Sequence, residues 1–231
     1  MKKIGLIGGM SWESSLVYYK IINEKTRDIL GGFHSSRCIL ESVDFAEIED
    51  LQHKSDWEAL TKIMIQCARK LENAGADMIV ICTNTMHLCS EEIVKNTNIP
   101  FLHIASATGK KIKEQKIKKV LLLGTKFTME KDFFRNLLRT DFDVETIIPD
   151  KKSRETVHQI IYEELVHGEI NPGSKQAFQD IINNGINHGA EGVILGCTEI
   201  PLLIQSSDVN VPVFDTTRIH AESAVEFALG K

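Results

Sequence analysis

At 231 residues, with 42% hydrophobic and 26% charged side chains, the chain can bury one large core or two small ones, and its composition excludes disorder. The formal net charge of −5 speaks against nucleic-acid binding; the one dense basic run, Gly109 to Lys119, holds Ile112 and Ile117 and reads as a solvated helix face. No apolar stretch reaches signal-peptide or membrane-spanning length, so a cytoplasmic protein with no membrane partner is expected.

The first predicted element is a buried strand, Ile4-Gly5-Leu6-Ile7-Gly8-Gly9, an apolar run bounded by glycines, followed by a helical pattern from Ser14 to about Leu30. Its glycines lack the GxGxxG spacing of a dinucleotide turn and suit the approach of a smaller ligand. Cys38 is expected on a strand, and Cys67, at helical spacing between Ile63 and Leu71, in the core. Gly75-Ala76-Asp77 then reads as a helix exit leading into the β-branched run Met78 to Ile81, which ends in Cys82-Thr83. Asn98-Ile99-Pro100 forms a turn before the short apolar strand Phe101-Leu102.

Each of these signals returns in the second half. Lys118-Lys119-Val120-Leu121-Leu122-Leu123-Gly124-Thr125 repeats the opening strand and leads into a helix near Thr128, with Phe133, Phe134, Leu137 and Leu138 on its apolar face. Gly189-Ala190-Glu191 leads into Gly192 to Gly196 and Cys197-Thr198, and Asn210-Val211-Pro212 precedes Val213-Phe214. The expectation is an α/β protein of two pseudo-symmetric, doubly wound domains, each a parallel sheet covered by helices on both faces.

Ligands of such sheets bind beyond the carboxyl ends of the strands, which is where Cys82 and Cys197 fall. A pseudo-twofold arrangement predicts an active site in the inter-domain cleft, with the two thiols on opposite walls. Five scattered cysteines, an odd number, speak against structural disulfides. A cysteine after an apolar strand is often only a small buried hydrophobe, but two in repeat-equivalent positions favour chemistry. A thiol of ordinary pKa near ~8.5, tunable by donors or a helix amino terminus, suits proton transfer at either face of an α-carbon. A metal site from Cys82, His87 and Cys89 is set aside, because no second cluster supplies further ligands. Thr83-Asn84-Thr85 reads as a helix start able to hold a carboxylate; Thr198-Glu199 is its counterpart, with Glu199 suited to a substrate ammonium. The eight histidines show no spacing pattern and read as surface or satisfied core.

The opening IGLIGGMSWE, the CTNTMH stretch from Cys82 and Gly196-Cys197-Thr198-Glu199 together resemble the aspartate/glutamate racemase family, over the whole chain. The resemblance implies amino-acid racemisation with Cys82 and Cys197 as the acid/base pair and with no pyridoxal phosphate, metal or other cofactor. It also implies Met10, Gln52, Thr83, Asn84, Thr85, Thr198 and Glu199 around the substrate, and a homodimer. The carboxyl-terminal segment is expected to return to the first domain, giving residues 1–100 plus 213–231 as one domain and 101–212 as the other. Members specific for aspartate carry basic side chains for its distal carboxylate; here Glu47 to Gln52 has none and the Val166 region offers only His167. A buried carboxylate without a charged partner is costly. The sequence therefore points to the broad-spectrum branch, with an isomerase or decarboxylase of the same superfamily, or a non-catalytic amino-acid sensor, as alternatives.

Overall fold

The computed structural model describes residues 1–230, which divide into two compact units, Met1–His103 with the returning segment from His220, and Ile104–Ile219. The first unit runs β1 (Ile4–Gly8), α1 (Trp12–Leu30), β2 (Cys38–Ser42), α2 (Phe45–His53), α3 (Trp57–Asn73), β3 (Met78–Ile81), a 3-10 turn (Thr85–Cys89) and α4 (Ser90–Asn96). The second runs α5 (Ile104–Glu114), β4 (Lys119–Gly124), α6 (Lys126–Glu130), α7 (Asp132–Phe142), β5 (Glu145–Ile147), α8 (Lys151–Glu163), α9 (Pro172–Asn187), β6 (Gly192–Gly196), α10 (Ile200–Leu203) and β7 (Val213–Asp215). The last helix, α11 (Thr216–Leu229), begins in the second unit and ends in the first.

Both sheets are parallel, in the orders β2-β1-β3 and β5-β4-β6-β7. Strands β1, β3 and β6 are buried along their whole length, as expected of parallel strands covered on both faces. In the first unit Ile4, Leu6, Met78 and Val80 pack against Tyr18, Ile21 and Ile22 of α1 and Ala221, Ala224 and Val225 of α11. The opposite face, Ile7, Ile79 and Ile81, meets Leu60, Met64 and Leu71 of α3. The second unit repeats this plan, with α8 and α9 on one face and α5 and α7 on the other.

The duplication extends to individual hydrogen bonds. The Asn-x-Pro turns place Pro100 O and Pro212 O as acceptors from Ile79 N (2.8 Å) and Val193 N (2.9 Å). Asp77 and Glu191, each two residues after a glycine of positive φ, cap the strand openings by accepting from Lys3 N (2.6 Å) and Lys118 N (2.8 Å). The copies differ in one respect: Phe101 forms only an isolated parallel bridge to Ile79, whereas Val213–Asp215 is a full edge strand on β6. Residues 213–215 thus belong to the second sheet, and the chain returns to the first unit later, at Ile219–His220 within α11.

Candidate active site

In each sheet the strand order reverses between the first strand and the one that ends in Cys-Thr: between β1 and β3, and between β4 and β6. The crevice at the carboxyl ends of such a switch point is where open α/β sheets bind ligands. Cys82 N donates to Ile7 O (2.9 Å), so the first thiol-bearing loop lies beside the Gly8-Gly9-Met10 turn. That turn is tight: Gly9 has φ of +86°, and a Cβ there would come 2.2 Å from Val43 O. Behind it Ser11 caps α1, accepting from Ser14 N (3.4 Å), and Gly9 N donates to Ser15 Oγ (2.8 Å). Thr125 and Thr128 repeat the hydroxyl cap at the start of α6 (Thr128 N to Thr125 Oγ1, 3.3 Å). These hydroxyls belong to the repeated pattern, and only their equivalent places after two glycine-ended strands could have revealed them in sequence.

Of the expected first-unit residues, Thr83, Asn84 and Thr85 follow Cys82 in the chain, while Met10 packs in the layer of Ile7, Ile81 and Met86. Met10, Asn84 and Thr85 are buried, and Thr83 is partly exposed. Gln52, on α2, is buried as well and donates through Nε2 to Met86 Sδ (3.2 Å), so it lies against the turn that follows Thr83-Asn84-Thr85. That turn is a short 3-10 segment whose Asn84 makes no side-chain cap, a weaker helix start than the sequence suggests. Cys82 itself is buried in the apolar layer under α1 and α11, and burial, followed by the neighbouring Cys38 thiol, pushes its pKa far above the ordinary thiol range.

Cys197 is half-buried, and its Sγ donates to Glu199 Oε2 (2.8 Å). Its pKa is also raised well above the usual value, first by burial, then by the negative charge of Glu199 and the hydrogen bond to it. Glu199 is buried at the start of α10, and Thr198, beside it, is partly exposed. Among the described residues no group of three or more His, Cys, Asp or Glu side chains is arranged to hold a metal ion. Cys67 is buried core on α3, its thiol pushed up to about 11, and Cys89 accepts from Thr61 Oγ1 (3.4 Å).

The model of the Asp/Glu/Hydantoin racemase family matches residues 7–224. The chain belongs to that family. Similar solved structures include a protein of Yersinia pestis provisionally assigned as an Asp/Glu racemase, 49% identical, with a TM-score of 0.94 over 99% of this chain and 100% of that one. An aspartate racemase homologue from Pyrococcus horikoshii OT3 is 39% identical, with a TM-score of 0.87 over 99% and 100% of the two chains. The broad specificity amino-acid racemase RacX of Bacillus subtilis is 27% identical over 170 residues, 74% of this chain and 73% of that protein.

Sequence reading missed one constellation of this racemase-family chain. His87, His103 and His220 come together in the first unit, with ring centroids 4.8 Å (His87–His103) and 5.4 Å (His87–His220) apart. His220 fits the expectation of a satisfied core residue: Nε2 donates to Leu102 O (2.9 Å), which leaves Nδ1 to accept from Tyr18 Oη (2.8 Å). His87 does not: Nδ1 donates to Thr83 O (2.8 Å), while Nε2 is buried without a hydrogen-bond partner. These residues have no common spacing, so only the fold brings them together.

The Glu199 carboxylate gives the second thiol a testable property. Removing its charge in Glu199→Gln takes away two influences that raise the Cys197 pKa, so the thiolate fraction at fixed pH must rise. Peptide-resolved mass spectrometry of iodoacetamide labelling at pH 8 is expected to show Cys197 alkylated severalfold faster in the variant. An unchanged or slower rate would contradict the assigned hydrogen bond.

Proposed function

We propose that this racemase-family member interconverts L- and D-amino acids without a cofactor, with Cys82 and Cys197 as the two acid/base groups. The observation that carries the reading is their equivalence: each thiol follows the strand on one side of the switch point of its own sheet, within a duplicated framework. In each turnover one cysteine, as thiolate, takes the α-proton and becomes a thiol. The other, as thiol, delivers a proton to the opposite face of the carbanion and becomes the thiolate. The reverse reaction exchanges their roles, and proton exchange with solvent resets the pair.

Both thiols are strongly biased toward the neutral form in the free protein. The active charge state therefore arises with substrate bound, when the ammonium group brings a positive charge near Glu199 and weakens its effect on Cys197. Met10, Gln52, Thr83, Asn84, Thr85 and Thr198 complete the substrate surroundings in this reading, with the polar Thr83–Thr85 stretch for the α-carboxylate.

The proposed specificity is broad. The α2 segment from Glu47 to Gln52 carries no cation, and its buried polar member, Gln52, is engaged with a methionine sulfur, which suits a neutral side chain better than a second carboxylate. The likeness to the B. subtilis broad-specificity enzyme supports this reading. A homodimer in the cytoplasm completes the proposal: Trp12, Leu16 and Tyr19 expose 65%, 58% and 52% of their surfaces at i, i+4 and i+7 on α1, an apolar stripe of the kind a partner subunit covers.

The test is a panel of single L-amino acids incubated with purified protein and read by chiral chromatography. Turnover of neutral or basic amino acids with little or none of aspartate is the expected result. Aspartate as the preferred substrate would overturn the broad-spectrum assignment, and silence across the panel would overturn the racemase itself.

A further inference from the structure

We propose that His87 is a positioning residue for the Cys82 loop, holding the Thr83 carbonyl through its Nδ1–H while its ring is braced by the two segments in which the chain passes between units. The inference rests on the reading of Cys82 as an acid/base group.

A carbonyl oxygen only accepts, so the 2.8 Å contact from His87 Nδ1 to Thr83 O puts the ring proton on Nδ1. The neutral ring then carries a bare acceptor at Nε2, and that atom is buried with no partner. Such an orphan in a fully buried side chain calls for an explanation, because leucine or methionine would fill the same space without it. What neither can supply is the donor at Nδ1. Its acceptor, Thr83, is the residue directly after Cys82, so this bond fixes the Thr83–Asn84 peptide, one residue beyond the thiol-bearing position.

The brace consists of His103 and His220. The two passages of chain between units fall at His103–Ile104 and Ile219–His220, so the rings beside His87 stand at both of them. His220 is locked by its bonds to Tyr18 Oη and Leu102 O, and Phe101 adds an edge-on contact to His87 at 5.5 Å between centroids. His87 thus ties the loop after β3 to the first-unit residue at each of the two chain passages.

Three variants separate the hydrogen bond from mere bulk. His87→Asn keeps an N–H at the position of Nδ1, His87→Gln moves it outward, and His87→Leu fills the space with no donor. Two readouts are taken on each folded variant: kcat and KM with the best amino acid of the panel, and the rate of Cys82 alkylation by iodoacetamide. Asn is expected within about threefold of wild type in both, while Gln and Leu lose about tenfold or more in kcat and also raise KM, because Thr83–Thr85 belongs to the proposed carboxylate site. Cys82 alkylation is expected to accelerate in Gln and Leu only. Wild-type kinetics and labelling in His87→Leu would reduce His87 to a space-filling residue. An Asn variant as impaired as Leu would show that the Thr83 bond is not what matters. The labelling arm needs no turnover: if Cys82 proves dispensable for catalysis, the racemase reading fails while alkylation still decides whether His87 positions the loop.

Discussion

Cys82→Ser and Cys197→Ser are each expected to lower racemisation by about 10²- to 10⁴-fold, the scale on which a positioned acid or base acts. Serine preserves shape, but its hydroxyl gives up a proton far less readily than a thiol, so the variant keeps the site and loses one proton-transfer partner. The two variants should fail in complementary ways. Each can still exchange the α-proton of the enantiomer that presents it to the surviving thiol, and neither can return a proton from the other side. Chiral chromatography measures the loss and proton NMR in deuterium oxide measures the residual exchange. Cys82 lies in an apolar layer with Tyr18, Val80 and Ala221, where a serine hydroxyl carries a burial cost, so far-UV circular dichroism and a melting curve accompany that variant. Full activity in either folded variant would sink the two-thiol mechanism.

The second large effect is on stability in mild acid. Burial holds the His220 pKa down to about 3, and burial together with the neighbouring His103 and His220 rings holds that of His87 well below its usual 6.5. In the unfolded chain both titrate near 6.5. As pH falls below that value the unfolded state binds protons that the folded state refuses, so the stability these two histidines contribute is complete above pH 6.5 and is lost progressively below it, for His220 until pH nears about 3. Each refused proton costs on the order of 1 kcal/mol per pH unit, and both rings act in the same direction. Asp143, Asp150, Glu155 and Asp208 also have lowered pKa values, through hydrogen bonds with Lys118, Ser153, Lys126 and Lys175, and their losses begin only as pH falls below about 4.5. Urea unfolding from pH 6.5 to 4.5 therefore isolates the histidines, and a flat stability across that window would contradict their burial as neutral rings.

The duplicated framework was legible because its signals are local. A glycine leaving a helix, a β-branched run and an Asn-x-Pro turn each act within a few residues, and each was visible twice. The same locality explains Cys82 and Cys197, which follow directly from where those strands stop. The rest depends on contacts distant in sequence: Tyr18 meets His220 across 202 positions, and His87 meets His103 sixteen positions on and His220 only once α11 has returned to the first sheet. Eight histidines without a spacing pattern give no hint of this. A short apolar run such as Val213-Phe214 does not by itself reveal which sheet it joins; its pairing with β6 does. Gln52 was named through family resemblance alone, and its place beside Met86 depends on how α2 packs against the turn after Cys82.

The most direct test of the two-thiol account follows the isotope at the α-carbon during the first few per cent of reaction in deuterium oxide. With an amino acid that turns over in the panel, the D-product is predicted to carry deuterium from the outset, while the remaining L-substrate keeps its protium, because the group that takes the proton is not the group that returns one. Early deuterium in the recovered substrate together with protium carried into the product would mean that a single group both removes and restores the proton, and would contradict the assignment of Cys82 and Cys197 as opposed partners.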